Sequence, residues 1–338
     1  MAILNSGTVI LVDEEATIGA GQGGTWLNTD AVPFQDDSGL TPATESLERQ
    51  NFNGSFLSCK SLTGNESTSG SLNVEMAINP IAGVEAGQFL GHLLYKQGLG
   101  KYVEQAADLS VANTISIEAD PATNPTGYDL YRLSLPSEPR TTLVVYEDLG
   151  GSGEVIESKG VVIDSLTMNF TAGQIVTAGF SVSGIGYGTL TGQTPMTSTG
   201  CPQTDPFVTK SAVFRVGGVE IDASDVTLTV SNTNTDRNYI TSTGIGDKVT
   251  TAKSVELTYT LDMVDVSAYN TLKNNEEAEI YIKLVNTDGD TIDIFLPVVS
   301  YTEVSKNNDG GVIALNISSM AYADAAGHAL YIATKKFV

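Results

Sequence analysis

The residues that could do chemistry are few. Gly19, Gly21 and Gly24 satisfy G-x-G-x-x-G after the strand-like stretch 8–12, the spacing of a dinucleotide-binding turn. Such a turn works only where a helix begins and aims its free N–H groups at a pyrophosphate. Here the chain continues through Thr25, Trp26, Leu27 and Asn28 and soon meets Pro33, so a glycine-rich arm is expected instead. His92 and His328 are the only histidines, and His92 lies beside Leu93 and Leu94, where a packed ring is expected. No H-E-x-x-H, C-x-x-C or G-x-S-x-G occurs, so zinc hydrolysis and Ser-His-Asp acyl transfer lack their parts. Cys59 and Cys201 are far apart in sequence and are read as reduced, partly buried thiols. The segment 286–290 (NTDGD) has too few oxygen ligands for a calcium loop. Lying between two strand-like runs, it predicts a tight hairpin. Sequons at Asn53, Asn65, Asn169 and Asn316 follow from the abundance of Asn, Ser and Thr. A carboxylate pair could serve a glycosidase, but no spacing brings two acids together, and Trp26 is the sole tryptophan. No catalytic, cofactor-binding or metal-binding residue is expected; the chain is read as a non-enzyme.

The elements that would position any such residue are strands. Beta-branched residues between Gly, Asn and Asp punctuation, with 34 glycines in 338 residues, give the composition of an all-β protein. The length suggests two domains. Helical periodicity is confined to 85–97, where Phe89, Leu90, Leu93 and Leu94 share a face, and to a shorter stretch after Asp265 containing Tyr269 and Leu272. Forty acids against 17 bases leave a net charge of −23, which opposes wrapping of nucleic acid. No apolar run approaches the roughly 20 residues of a membrane-spanning helix, and the N-terminus lacks a basic, cleavable leader pattern. Residues 1–48 hold eight acids and no Lys or Arg, and are read as a strand followed by an acidic arm that needs a partner surface. The breaker-rich run 189–205 (TLTGQTPMTSTGCPQTD) has neither alternation nor helical period, and residues 191–207 are read as a linker.

Two segments alternate alike. In 71–79 (SLNVEMAIN), Leu72, Val74, Met76 and Ile78 share one face; in 254–262 (SVELTYTLD), Val255, Leu257, Tyr259 and Leu261 do. Each predicts a strand with one buried and one wet face. Each follows a polar, glycine-broken stretch read as a loop (64–70; 232–253), and each precedes a helix candidate. Later strands, 176–182 and 313–317, both follow glycine turns. The shared order predicts an internal duplication: a first domain over 49–190, with an insertion at about 103–157, and a second over 208–338.

These patterns resemble the duplicated major tail tube proteins of long-tailed bacteriophages. The resemblance rests on Glu48-Arg49-Gln50, the strand at Ser71–Glu75, the helix near Phe89–Leu94, the strand at 254–263, the NTDGD hairpin, Leu296-Pro297-Val298 and Gly310-Gly311. It covers most of 46–190 and 208–334. The resemblance implies two similar β-sandwich or barrel-type tube domains, each with one short helix, assembling into a ring around a closed inner β-barrel. With two domains per chain, three chains would make a pseudo-sixfold ring. It implies stacking of rings into a virion tail, with the tape measure, tail terminator and distal tail proteins as further partners. DNA would pass through the lumen without specific binding, and synthesis would be cytoplasmic, without a signal peptide. The wet faces then put Asn73, Glu75, Asn79, Glu256, Thr258 and Asp262 toward the lumen. Inter-ring contacts fall to Gly64, Asn65, Glu66, Gly70, Gly244, Gly246 and Asp247. Composition alone also suits a sheath or decoration protein, or an exported bacterial surface protein of two β-sandwich domains.

Overall fold

The structure, a computed structural model, describes residues 8–21, 32–48, 61–78, 88–106, 128–134, 141–196, 205–239, 245–263, 266–309, 312–325 and 327–336. In the first half the elements are β1 (Val9–Glu14), β2 (Gly39–Leu47), β3 (Leu62–Glu75), α1 (His92–Leu99), β4 (Gly100–Ala106) and β5 (Tyr128–Leu133). They continue with β6 (Leu143–Asp148), β7 (Val155–Thr171), β8 (Thr177–Gly184) and β9 (Gly186–Leu190). The second half begins with β10 (Val213–Val216), β11 (Val219–Glu220), β12 (Ala223–Asn238) and β13 (Ile245–Asp262). After α2 (Ser267–Asn274) come β14 (Glu277–Val285), β15 (Thr291–Asp309), β16 (Val312–Tyr322) and β17 (Tyr331–Lys335). The protein is mainly β, with two short helices.

Eight strands form one antiparallel run in the order β2-β3-β8-β7-β12-β13-β16-β15. Among the described residues neither edge, β2 nor the last part of β15, has a second strand partner, so the run stays open. The long strands β7 and β15 each serve two layers. Before its bulge at 163–165, β7 pairs with β6 and β9; before its bulge at 301–303, β15 pairs with β14 and β17. A bulge bends a strand and raises its twist, which lets one strand pass from layer to layer. The second layer is thus β1-β6-β7-β9 on one side and β11-β10-β14-β15-β17-β5-β4 on the other. Between the layers lies the core, with Leu72, Val74, Met76, Ile78, Leu228, Leu257, Ile294 and Leu296 fully buried.

Several expectations change. Residues 64–70 are not a loop: Gly64, Asn65, Glu66 and Gly70 lie within β3, paired with β2. Nor is 232–253, where Gly246 and Asp247 lie within β13, paired with β12 as far as Asn238 and Ile245. Neither arm buries a full face, so the apolar alternation that reveals a half-buried strand is missing. Thr-rich cross-strand ladders still favour pairing. The first helix starts at His92 rather than at 85, because Gly91 is left-handed (φ 78°) and Phe89 forms a β-bridge with Ile78. The expected N-terminal strand is β1, against β6, and the stretch read as an acidic arm after it contributes a second strand, β2 against β3. The described ends of the 191–207 stretch are packed, with Met196 and Phe207 buried. Asn79, Gly244, Gly24, Trp26, Cys59 and Cys201 lie outside the described residues.

Candidate functional site

Alternation along the eight-stranded run makes one face dry and the other wet. On the dry side, Leu72 lies opposite Phe180, Phe180 opposite Leu166, Leu166 opposite Val230 and Val230 opposite Val255. Burying one such side chain is worth roughly 1.5–3 kcal/mol, so the register is fixed: a one-residue slip would move every apolar group into water. Ser319 also lies on this side, and its hydroxyl donates to the Leu257 carbonyl at 2.8 Å.

The wet side is what remains. From Glu75 a row crosses the sheet through Thr177, Asn169 and Thr227 to Thr258. It ends through Ser318 at Glu303. A neighbouring row runs from Asn73 through Gly179, Thr167 and Thr229 to Glu256. Asn73 is tied to the sheet edge, its side-chain amide donating to Asp37 and its backbone N–H to the Ser38 hydroxyl, both at 2.9 Å. A Cβ on Gly179 would come within 2.9 Å of the Asn73 Oδ1, which explains glycine there. Glu256, Thr258 and Asp262 are exposed, while Asn73 and Glu75 are half-buried. Of the six residues read as sharing this face, five do so. With Asp225 and Glu303 the paired positions of the face carry five carboxylates, and Asp164 in the β7 bulge joins them, accepting from the Ser183 hydroxyl at 3.0 Å. Within the eight-stranded run itself, apart from Lys159 where β7 pairs in the second layer and from Arg237, Lys248 and Lys253 in the β12–β13 arm, the one cation is Lys306, which alternates to the opposite side, opposite Leu315.

The chemistry considered from sequence does not assemble. Gly19 (φ 71°) and Gly21 (φ 64°) do form an anion-holding turn, but its anion is internal. The Glu15 carboxylate accepts the Gly19 and Gly21 N–H groups at 3.0 and 3.3 Å, the Gly160 N–H at 3.0 Å and the Thr142 hydroxyl at 2.8 Å. His92 Nδ1 lies 2.7 Å from the Tyr131 hydroxyl, and burial, with Lys96 adding to it, lowers its pKa to about 4. His328 is buried edge-on to Tyr331. The NTDGD stretch is a hairpin turn, with Gly289 at φ 88° and the Asp290 N–H donating to the Asn286 side chain at 2.8 Å. Asn65, Asn169 and Asn316 are strand residues. Among the described residues no group of three or more His, Cys, Asp or Glu could hold a metal.

Sequence reasoning missed the groups that join the halves. Asn232 donates to the Gly98 and Ile163 carbonyls at 3.0 and 3.1 Å, and the Lys253 ammonium reaches the Leu99 carbonyl at 2.8 Å. The cation thus sits at the C-terminus of α1, where the helix dipole favours positive charge. Strand β5 then pairs with β17. No local pattern announces contacts between residues 69 or more apart in sequence.

The fold is thus an open antiparallel sheet with a dry face packed on a second layer and an acidic wet face, a β-rich class of protein. The family model for the phage tail tube protein matches residues 5–323, and the chain belongs to that family. Among curated proteins none matches it. Membership makes it a structural protein of the phage tail. No helix among the described residues is long and apolar enough to cross a membrane.

Proposed function

We propose that copies of this chain close into rings, that the rings stack into the tail tube, and that the wet sheet face lines the lumen through which the genome leaves. The observation that carries this is the wet face of the eight-stranded run: a continuous surface of Ser, Thr, Asn, Gly and carboxylates, with Lys306 turned to the other side. Carboxylates repel phosphate within a Debye length of roughly 8 Å, so DNA slides rather than sticks. The two open edges of the run are then used up by pairing with neighbouring copies, which also removes an aggregation hazard.

Two similar tube domains, joined through 191–207, account for the topology. The order β2-β3-β8-β7 is repeated as β12-β13-β16-β15, and β1-β6-β7-β9 as β10-β14-β15-β17. Each half places its helix after the second strand of its run, and both helices end in a left-handed cap, Gly100 (φ 95°) and Asn275 (φ 51°). On this reading the extra residues of the first half are 100–142, a narrower insertion than 103–157, because β6 and β7 correspond to β14 and β15. Three chains of eight strands make 24. At about 4.8 Å per strand and a tilt of about 40°, the barrel is about 48 Å across its backbone, leaving a channel wide enough for duplex DNA once side chains are added.

Negative-stain microscopy of the purified chain tests assembly, with rings or tubes of threefold symmetry expected. Glu75→Lys with Glu256→Lys tests the lumen: tubes form, yet DNA ejection slows because cations in the channel grip phosphate. Normal ejection through intact mutant tubes would remove these carboxylates from the DNA path.

A further inference from the structure

The two edges of the eight-stranded run differ in what their backbones offer. In an antiparallel ladder alternate residues aim their N–H and C=O groups at opposite neighbours, so every second residue of an edge strand presents both groups outward. On the β15 side, the Met263 N–H donates to the Ile313 carbonyl at 2.8 Å, which turns Ile313, Leu315 and Ile317 toward β13. Lys306 and Val304 lie opposite Leu315 and Ile317, so their groups point outward, and both carry an N–H. The first part of the β2 edge is different. Leu40 lies opposite Gly70, and a Cβ on Gly70 would come within 2.8 Å of the Leu40 Cα. That closeness marks a non-hydrogen-bonded pair, so the Leu40 groups point outward. The Leu40 N–H is already taken, because the buried Glu147 carboxylate of β6 accepts it at 2.5 Å. Two residues on, the outward position is Pro42, which has no N–H. In the other direction, where β2 has ended, the outward residue is Asn73 of β3. Its carbonyl accepts the Gln35 N–H and its N–H donates to the Ser38 hydroxyl, both at 2.9 Å.

We propose that Glu147, Pro42 and the 35–38 turn guard the β2 edge of the single chain, so that no strand, the β2 of a second copy included, can extend the sheet there. A row of unpaired N–H and C=O groups is what templates strand addition. Here every outward N–H from Asn73 to Pro42 is either bonded within the chain or missing. Two such edges brought together would set carbonyl against carbonyl, and any other incoming strand would find acceptors for its donors but no donors for its acceptors. Glu147 has no other evident reason to be where it is. Its neighbours along β6 on the same side, Leu143 and Val145, belong to the apolar core, and a buried carboxylate is costly unless hydrogen-bonded. The next outward N–H, that of Thr44, has no such cap among the described residues. A neighbouring copy that pairs with β2, as the tube reading requires, therefore does so from Thr44 onward. The guard itself belongs to the single chain and stands apart from that reading.

The test follows association of the full chain by sedimentation velocity and thioflavin T binding across a concentration series. Pro42→Thr restores an N–H and deletes no hydrogen bond; a second variant combines it with Glu147→Ala. Both are expected to associate at roughly tenfold lower concentration than wild type and to bind thioflavin T. Glu147→Gln keeps an acceptor for Leu40 and should match wild type. By hydrogen exchange, the peptide containing Leu40 should exchange roughly tenfold faster in Glu147→Ala than in Glu147→Gln. Leu257→Ala, weakened in the core with its edge intact, reads the effect of lost stability alone. An unchanged onset of association in both Pro42 variants overturns the guard. Leu257→Ala associating as readily as they do overturns it too, because lost stability would then account for the association.

Discussion

Replacing Glu15 by Gln leaves the size of the side chain almost unchanged and alters only what its oxygens can accept. Four donors converge on that carboxylate: the N–H groups of Gly19, Gly21 and Gly160 and the Thr142 hydroxyl, between 2.8 and 3.3 Å. The residue is 9% exposed, so water cannot take over these partners. An amide keeps one acceptor oxygen and turns an NH₂ group against donors, which strands about two of the four. With hydrogen bonds to charged groups worth about 1.5–3 kcal/mol each, and some relaxation of the Gly19–Gly21 turn, Glu15→Gln should cost about 2–4 kcal/mol. Thr142→Val removes a single donor and should cost about 1–2 kcal/mol. The double variant should cost less than the sum, because both act on one network. Urea unfolding followed by circular dichroism reads all three, through the midpoint at unchanged slope. A Glu15→Gln chain within about 0.5 kcal/mol of wild type would refute the argument that the glycine turn exists to satisfy this carboxylate.

Two further outcomes are expected. Leu257→Ala, at a fully buried position of the dry face, should cost about 2–5 kcal/mol, whereas Thr258→Ala next to it should stay within about 0.5 kcal/mol in the isolated chain; the same urea experiment separates them. Asp293 accepts the Tyr281 hydroxyl at 2.5 Å, yet burial raises its pKa above the ordinary 3.8. The folded state therefore holds the proton more tightly than the unfolded one, and this group's contribution to stability falls as pH rises from 3.8 through the raised value. Asp293→Asn, which keeps an acceptor for Tyr281, should flatten that slope. Urea midpoints measured from pH 4 to 7 check it, and an unchanged slope would assign the pH dependence elsewhere.

What was legible in the sequence was what burial writes into it. Leu72, Val74, Met76 and Ile78, like Val255, Leu257 and Tyr259, alternate because one face of each strand meets the core, and the structure buries all seven. Leu261 is only partly buried, and Ile313 is half exposed, because the core ends before the strands do. The ribbons at 62–67, 233–238 and 245–252 left no such trace, since each pairs with one strand only and buries no full face. Their glycines and serines read as loop, although backbone pairing extends them as strands. The Glu15 turn was not legible. Gly19 and Gly21 read as part of a glycine-rich arm, whereas both are left-handed turn residues whose N–H groups meet Glu15, and the other donors to that carboxylate, Thr142 and Gly160, lie more than a hundred residues away.

The junction between the two halves bears on why both are carried on one chain. Strand β7 hydrogen-bonds to β12 in the inner run, the β12–β13 arm holds the end of α1 through Asn232 and Lys253, and β5 joins β17 in the second layer. Tyr131 anchors β5 to its own half, its ring packing against Phe89 and its hydroxyl meeting His92. Among the described residues the paired strands β4 and β5 have no counterpart in the second half. In the proposed ring of three chains the junction from the second half to the next chain would lack this clamp, so three clamped junctions would alternate with three unclamped ones. Helix α2 has no buried residue where α1 has four, with Ala268 and Tyr269 packed partly against the core. The β4–β5 pair would thus make the proposed ring threefold rather than sixfold, and such a ring would open first between chains.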